Sequence, residues 1–133
     1  MDKSVKVFYM LTAIITLGMI CVVADTTNTE EFNKESYYVA KHCKGETEVT
    51  LVDRSRVDCV QTWDNEQYVI EYDWANKYKE AFGQAVSYST STGKKAGVVL
   101  IMRKTSDVKY LRRLERMNNK LKYPIKIKTV EIE

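Results

Sequence analysis

Tyr68-Val69-Ile70-Glu71-Tyr72-Asp73-Trp74-Ala75-Asn76-Lys77 decides how this chain folds. In an extended segment successive side chains alternate between faces, so Glu71 and Asp73 share one face with Val69, while Tyr68, Ile70 and Tyr72 take the other. From Trp74 the apolar period lengthens from two to about 3.6. Tyr78, Phe82, Ala85, Val86 and Ser89 then form a helical stripe that stops at Gly93. A strand carrying two carboxylates on one face therefore feeds straight into a helix, and Lys77 starts that helix beside them.

Working upstream, Ser55 to Gln61 reads as a strand bearing Asp58. The connection through Thr62-Trp63-Asp64-Asn65, about half a dozen residues, fits an antiparallel hairpin with a longer loop. That pairing would set Asp58 against Glu71 across neighbouring strands. Thr47 to Val52 alternates as a further strand, and Asp53-Arg54-Ser55 is the turn between them. Ahead of this meander, Phe32, Ser36, Val39 and Cys43 recur at helical spacing over Glu30 to Cys43, with Lys44-Gly45 as the stop.

Downstream, Ala96 to Met102 is apolar without alternation, as in a strand covered on both faces, and it is expected at the sheet's centre. A second amphipathic helix from about Asp107 to Leu121 would bury Val108, Leu111, Leu114, Met117 and Leu121. Pro124, the only proline, separates it from a closing strand, Ile125 to Ile132. The pattern is α/β, with no internal repeat and no low-complexity segment.

With 133 residues and charges of both signs, the chain suits one globular domain. The net charge of +3 is too mild to argue for a polyanionic partner by itself. Its distribution is more informative, because Arg103, Lys104, Lys109, Arg112, Arg113, Arg116, Lys120, Lys122, Lys126 and Lys128 crowd the last third. Such a face is either solvated surface or a seat for phosphates.

Lys3 and Lys6 precede an apolar run from Val7 to Val23 that ends in Val22-Val23-Ala24, the form of a signal peptide over residues 1–24. The run is long for a signal, so an uncleaved membrane anchor is the alternative. Gly18-Met19-Ile20 places no small residue before Cys21, which argues against lipidation there. Residues 25–133 would form the single domain, with Cys43 and Cys59 left to pair in an oxidising compartment. Their disulfide would close a loop of about sixteen residues, on the order of 3 kcal/mol. Two buried free thiols is the other reading.

Each chemically interesting group has a plainer role beside it. Asp58 and Glu71 are either solvated strand acids or oxygen ligands, and Asp73 is either a ligand or the N-cap of the helix after it. Lys77 and Gln84, seven residues apart, lie on nearly one helix face, where Lys77 is either solvated or turned to the acids and Gln84 either makes a structural polar contact against the sheet or joins them. His42, the only histidine, sits where it would complement a helix C-terminus, and with Cys43 and Cys59 it lacks zinc-finger spacing. Trp63 and Trp74 suit core packing or base stacking.

The runs Arg56-Val57-Asp58-Cys59, Glu71-Tyr72-Asp73-Trp74-Ala75-Asn76-Lys77-Tyr78-Lys79-Glu80-Ala81-Phe82-Gly83-Gln84-Ala85 and Thr92-Gly93-Lys94-Lys95-Ala96-Gly97-Val98-Val99-Leu100-Ile101 carry a resemblance. In the order helix, β-meander, helix, strand, they resemble a small group within the PD-(D/E)XK nuclease superfamily over residues 41–101. The resemblance implies a restriction-endonuclease-like αβββαβ core, a mixed sheet flanked by helices, here extended by a C-terminal helix and strand. It implies that Asp58 and Glu71 match the two metal-binding acids of the second and third core strands. The lysine usual two residues after the second acid is replaced by Asp73, and Lys77 matches the lysine that in some members has moved to the following helix. Gln84 resembles a helix glutamine of resolvase-like members. Glu35 or Glu48 would stand for an additional acid from the first helix or first strand.

The implied cofactor is Mg2+ (or Mn2+), held by Asp58, Glu71 and Asp73. It would offset charge on a phosphorane-like transition state and acidify a bound water, and magnesium needs few carboxylates because it keeps several waters. Lys77 would add electrostatic stabilisation. The expectation is an exported, secreted or periplasmic, metal-dependent nuclease acting on nucleic acid, DNA before RNA, with no membrane contact once the leader is cleaved. The alternative is a catalytically inactive nuclease-fold binding or structural module at the cell envelope, and a weaker third is a small toxin or immunity-type protein.

Overall fold

A three-stranded meander opens the sheet: β1 (Glu46–Thr50), β2 (Arg56–Trp63) and β3 (Glu66–Trp74) run antiparallel in succession. The computed structural model describes residues 32–132, so the expected leader, residues 1–24, lies outside the described residues. Asp53 shapes the first turn, its Oδ1 accepting the Ser55 N–H at 2.9 Å while Arg54 takes a left-handed φ of 69°. The second turn corrects the longer loop expected from Thr62 to Asn65. Thr62 and Trp63 stay in β2, paired with Gln67 and Glu66, and the turn is Asp64-Asn65 alone, both left-handed with φ of 50° and 63°. Two consecutive left-handed residues make the primed turn that matches strand twist, and Asp and Asn tolerate that conformation.

An α-helix precedes the meander, α1 (Glu35–His42), and two parallel crossovers follow it through α2 (Tyr78–Thr92), β4 (Lys95–Met102), α3 (Val108–Asn118) and β5 (Lys126–Glu131). Short 3-10 turns, Ala75–Lys77 and Thr105–Asp107, lead into α2 and α3. The mixed sheet has the order β1-β2-β3-β4-β5, with β3, β4 and β5 parallel. Its centre is β3, not β4 as the apolar run suggested. A continuous apolar run reports layers above and below a strand rather than its rank in the sheet.

On one face α1 inserts Tyr38 and Val39 among Cys59, Ile70, Tyr72, Trp74, Val99 and Ile101. Gly97 lets Trp63 lie over β4, since a Cβ there would come 2.7 Å from the indole ring. On the other face α2 and α3 cover Ala96, Val98 and Leu100 with Tyr78, Ala81, Ala85 and Leu114. The buried positions of α2 are Tyr78, Ala81, Ala85 and Tyr88, while Val86 is exposed, so the inward stripe is rotated from the one expected. The 3-10 turn delays the helix to Tyr78 and sets that phase, and small alanines bring α2 close to the sheet. In α1, likewise, Tyr38 and Val39 are buried and Ser36 is exposed. Both tryptophans are core residues, 8% and 6% exposed, which removes them as stacking platforms.

Cys43 and Cys59 form a disulfide with Cα atoms 5.9 Å apart, tying the end of α1 to β2. Such bonds persist in oxidising, extracellular or periplasmic surroundings and are consistent with a secreted protein. No helix among the described residues is long and apolar enough to cross a membrane.

Candidate acidic site

β3 distributes its side chains as its alternation dictates. Ile70 and Tyr72 pack beneath α1, whereas Val69 packs with Tyr88 of α2 and so takes Glu71 and Asp73 to the α2 side. Glu71 and Asp73 are buried, 7% and 6% exposed. Asp58 reaches them through an irregularity in β2. Val57 and Val60 both pack with Val69 although they are three residues apart, while Cys59 lies with the opposite cluster. Strict alternation is therefore broken at Asp58. The β2–β3 register runs from Trp63↔Glu66 to Cys59↔Ile70, and beyond it the Tyr72 N–H donates to Asp58 Oδ2 at 2.9 Å. A side-chain carboxylate thus takes the place of a ladder carbonyl where the two strands part.

The electrostatics follow from burying acids together. Burial pushes the Glu71 carboxyl up to about 9, and the charges of Asp58, Asp73, Glu35 and Glu48 push the same way. Its Oε2 is buried with no hydrogen-bond partner among the described residues. Burial raises Asp58 to about 6 against the opposing Tyr72 N–H, with Glu48 and Glu35 adding to the rise. Burial also raises Asp73 to about 7, assisted by a hydrogen bond with Glu35 and opposed by Lys77. All three carboxyls are thus held above the ordinary carboxylate range, Glu71 furthest.

Lys77 lies against this group as expected, its Nζ 3.1 Å from Glu35 Oε1 and 3.6 Å from Asp73 Oδ1. Its pKa is raised, chiefly by the hydrogen bond to Glu35. Asp73 is not the cap of α2. Its Oδ1 accepts the Trp74 N–H at 2.8 Å, and neither the 3-10 turn nor α2 has a side-chain cap. Gln84 is exposed, and its Oε1 accepts from the Tyr88 hydroxyl at 3.4 Å. Glu35, at the first turn of α1, belongs to the group, whereas Glu48 is exposed, left-handed at φ 57° and paired with Arg56 at 2.6 Å.

Tyr88 is the residue that sequence reasoning missed. Burial raises its hydroxyl to about 12, and the charges of Glu71 and Asp58 follow, which sets it in the same field. Its spacing of ten from Tyr78 and seven from Ala81 was the available signal. All the acids supply hard oxygen donors, but among the described residues no group of three or more histidine, cysteine, aspartate or glutamate side chains is placed to hold a metal ion together. Comparison with protein-family models, with curated proteins and with solved structures gave no significant match.

Proposed function

We propose that this chain is an exported, metal-dependent, nuclease-like hydrolase of phosphodiester bonds in nucleic acid, built on a restriction-endonuclease-like core. The element order helix, three-strand meander, helix, strand supports that reading, as do acids at the corresponding positions of β2 and β3. The observation that carries it is the buried, unpartnered Oε2 of Glu71 beside Asp58 and Asp73. A carboxyl with no donor in a nest of like charges costs stability unless a cation joins it.

Asp58, Glu71 and Asp73 fit Mg2+ or Mn2+ in chemistry, being oxygen donors, and magnesium is commonly bound through only one or two carboxylates plus water. When bound, such an ion offsets phosphoryl charge and lowers the pKa of a water. Within the chain, the Tyr72 N–H orients Asp58. Glu71 has to release its proton to act as a ligand, so cation affinity rises as pH climbs towards about 9. The Lys77 ammonium, held by Glu35 and Asp73, stands ready to offset phosphate charge, and Gln84 with Tyr88 lines the same side of α2.

The test incubates the protein with single- and double-stranded DNA and RNA in Mg2+, Mn2+ or EDTA. Metal-dependent cleavage, strongest on DNA and abolished by Glu71→Gln or Asp58→Asn, is expected, with a metal-induced thermal shift that grows from pH 6 to pH 9. Absence of both cleavage and thermal shift would overturn the hydrolase and favour the second reading, an inactive nuclease-fold binding or structural module at the cell envelope. One observation favours that rival: Asp73 stands where the resemblance puts a lysine, and Lys77 is already engaged by two carboxylates.

A further inference from the structure

The outer face of α3 is cationic and, among the described residues, unneutralised. Between Val108 and Lys122 the chain carries Lys109, Arg112, Arg113, Arg116, Lys120 and Lys122 against the single acid Glu115. Elsewhere Arg56, Lys77, Lys95 and Lys126 each meet a carboxylate across the fold. None of the α3 cations enters an ion pair among the described residues. Between α3 and the start of α2 lies a hollow of about 460 Å³, floored by Tyr78 and Met117 and edged by Arg113, Arg116, Asn119 and Lys120. Tyr78 packs on Tyr110 with ring centroids 6.1 Å apart, and Arg113 and Lys109 lie 5.8 and 4.8 Å from the Tyr110 ring.

We infer that this groove is the seat of the substrate's sugar–phosphate backbone, so that a nucleic acid is gripped along α3 and handed to the acidic site across the first turn of α2. The inference rests on the hydrolase reading above and names the surface that reading lacks. The carboxyl groups of Asp58, Asp73 and Glu35 beside Glu71 repel a polyanion, so a phosphate reaches them only if cations nearby hold the strand. The groove supplies those cations, and Tyr78, its floor, follows Lys77 directly in the chain. An anionic membrane is the poorer occupant. Leu114 is buried, Val108, Leu111 and Met117 are half-buried against the core, and α3 offers no exposed large apolar side chain to insert.

The test measures binding of the full chain to fluorescent single-stranded and duplex oligonucleotides in EDTA, where cleavage plays no part, as a function of salt. Reversing Arg113→Glu with Arg116→Glu is expected to lower the magnitude of the log–log salt slope by about 1.4 to 1.8, as for two lost phosphate contacts. Arg113→Gln with Arg116→Gln should give a smaller drop in affinity in the same direction, and circular dichroism should show both variants folded. Unchanged oligonucleotide affinity in both folded variants would overturn the inference. So would binding to phosphatidylserine vesicles, lost in the reversal variant, with none to oligonucleotides. Groove-dependent binding without metal-dependent cleavage would sink the hydrolase reading and leave the groove standing. Undiminished cleavage by the reversal variant would do the opposite.

Discussion

The two parallel crossovers of the sheet are built alike and differ in how they treat a buried acid. Each leaves a strand through a 3-10 turn into a helix, β3 through Ala75–Lys77 into α2, and β4 through Thr105–Asp107 into α3. In the second, Asp107 is 6% exposed and its Oδ2 accepts the Arg103 N–H at 2.9 Å, closing the turn on itself. In the first, Asp73 accepts the adjacent Trp74 N–H and is shared with Lys77 and Glu35, and Glu71 keeps an oxygen without a partner among the described residues, beside other acids. Burial alone therefore does not mark a site. A buried acid that the fold satisfies is architecture, and one left unsatisfied beside others is a candidate site.

The strongest way to break this contrast is to neutralise each acid. Glu71 is raised to about 9 in the folded chain, above its unfolded value. Below about pH 4.5 it is protonated in both states and changes nothing; between there and about pH 9 the unfolded chain releases the proton first, so stability is lost as pH rises. Glu71→Gln removes that loss. Urea unfolding should show the variant more stable than the parent by an amount that grows with pH across this window. Asp107→Ala should go the other way, costing about 1–3 kcal/mol at neutral pH by stranding the Arg103 N–H. Equal effects of the two changes would erase the distinction.

Reducing the disulfide sharpens the comparison at about 3 kcal/mol. It frees the end of α1, which packs on the sheet through Tyr38 and Val39 and carries the Glu35 that engages Lys77. Hydrogen exchange should then loosen α1 first and disturb the titration of Asp73. The Arg103–Asp107 turn should stay protected. Loosening of both crossovers together would show that α1 is not a separate support for the acidic one.

Much of this arrangement was legible because it is periodic. Alternation put Glu71 and Asp73 on one face, the change of period after Trp74 announced α2, and the pair Cys43 and Cys59 announced the disulfide. What escaped was set by geometry between segments. The break in β2 at Asp58 depends on the carboxylate taking the Tyr72 N–H, a contact across strands that no local pattern encodes. Tyr88 escaped because the larger Val86 drew the stripe away from the small Ala81, although Ala81 is the residue that packs. Glu35 was visible only as one of two alternatives, with Glu48, for an additional acid, since its contact with Lys77 spans 42 residues.

The smallest effect isolates the pair that tunes Asp73. Lys77 lowers its pKa while Glu35 raises it, and both side chains are well exposed at 44% and 35%. Exposed pairs contribute about 1 kcal/mol or less, so neither variant should move the unfolding midpoint much. Their titrations should nevertheless part. Carboxyl-carbon resonances should show Asp73 ionising above about 7 in Lys77→Met, which loses the stabilising cation, and below it in Glu35→Gln, which loses a competing charge. An unmoved titration of Asp73 in both variants would mean that burial alone sets its proton, and that Lys77 stands beside the acids without acting on them.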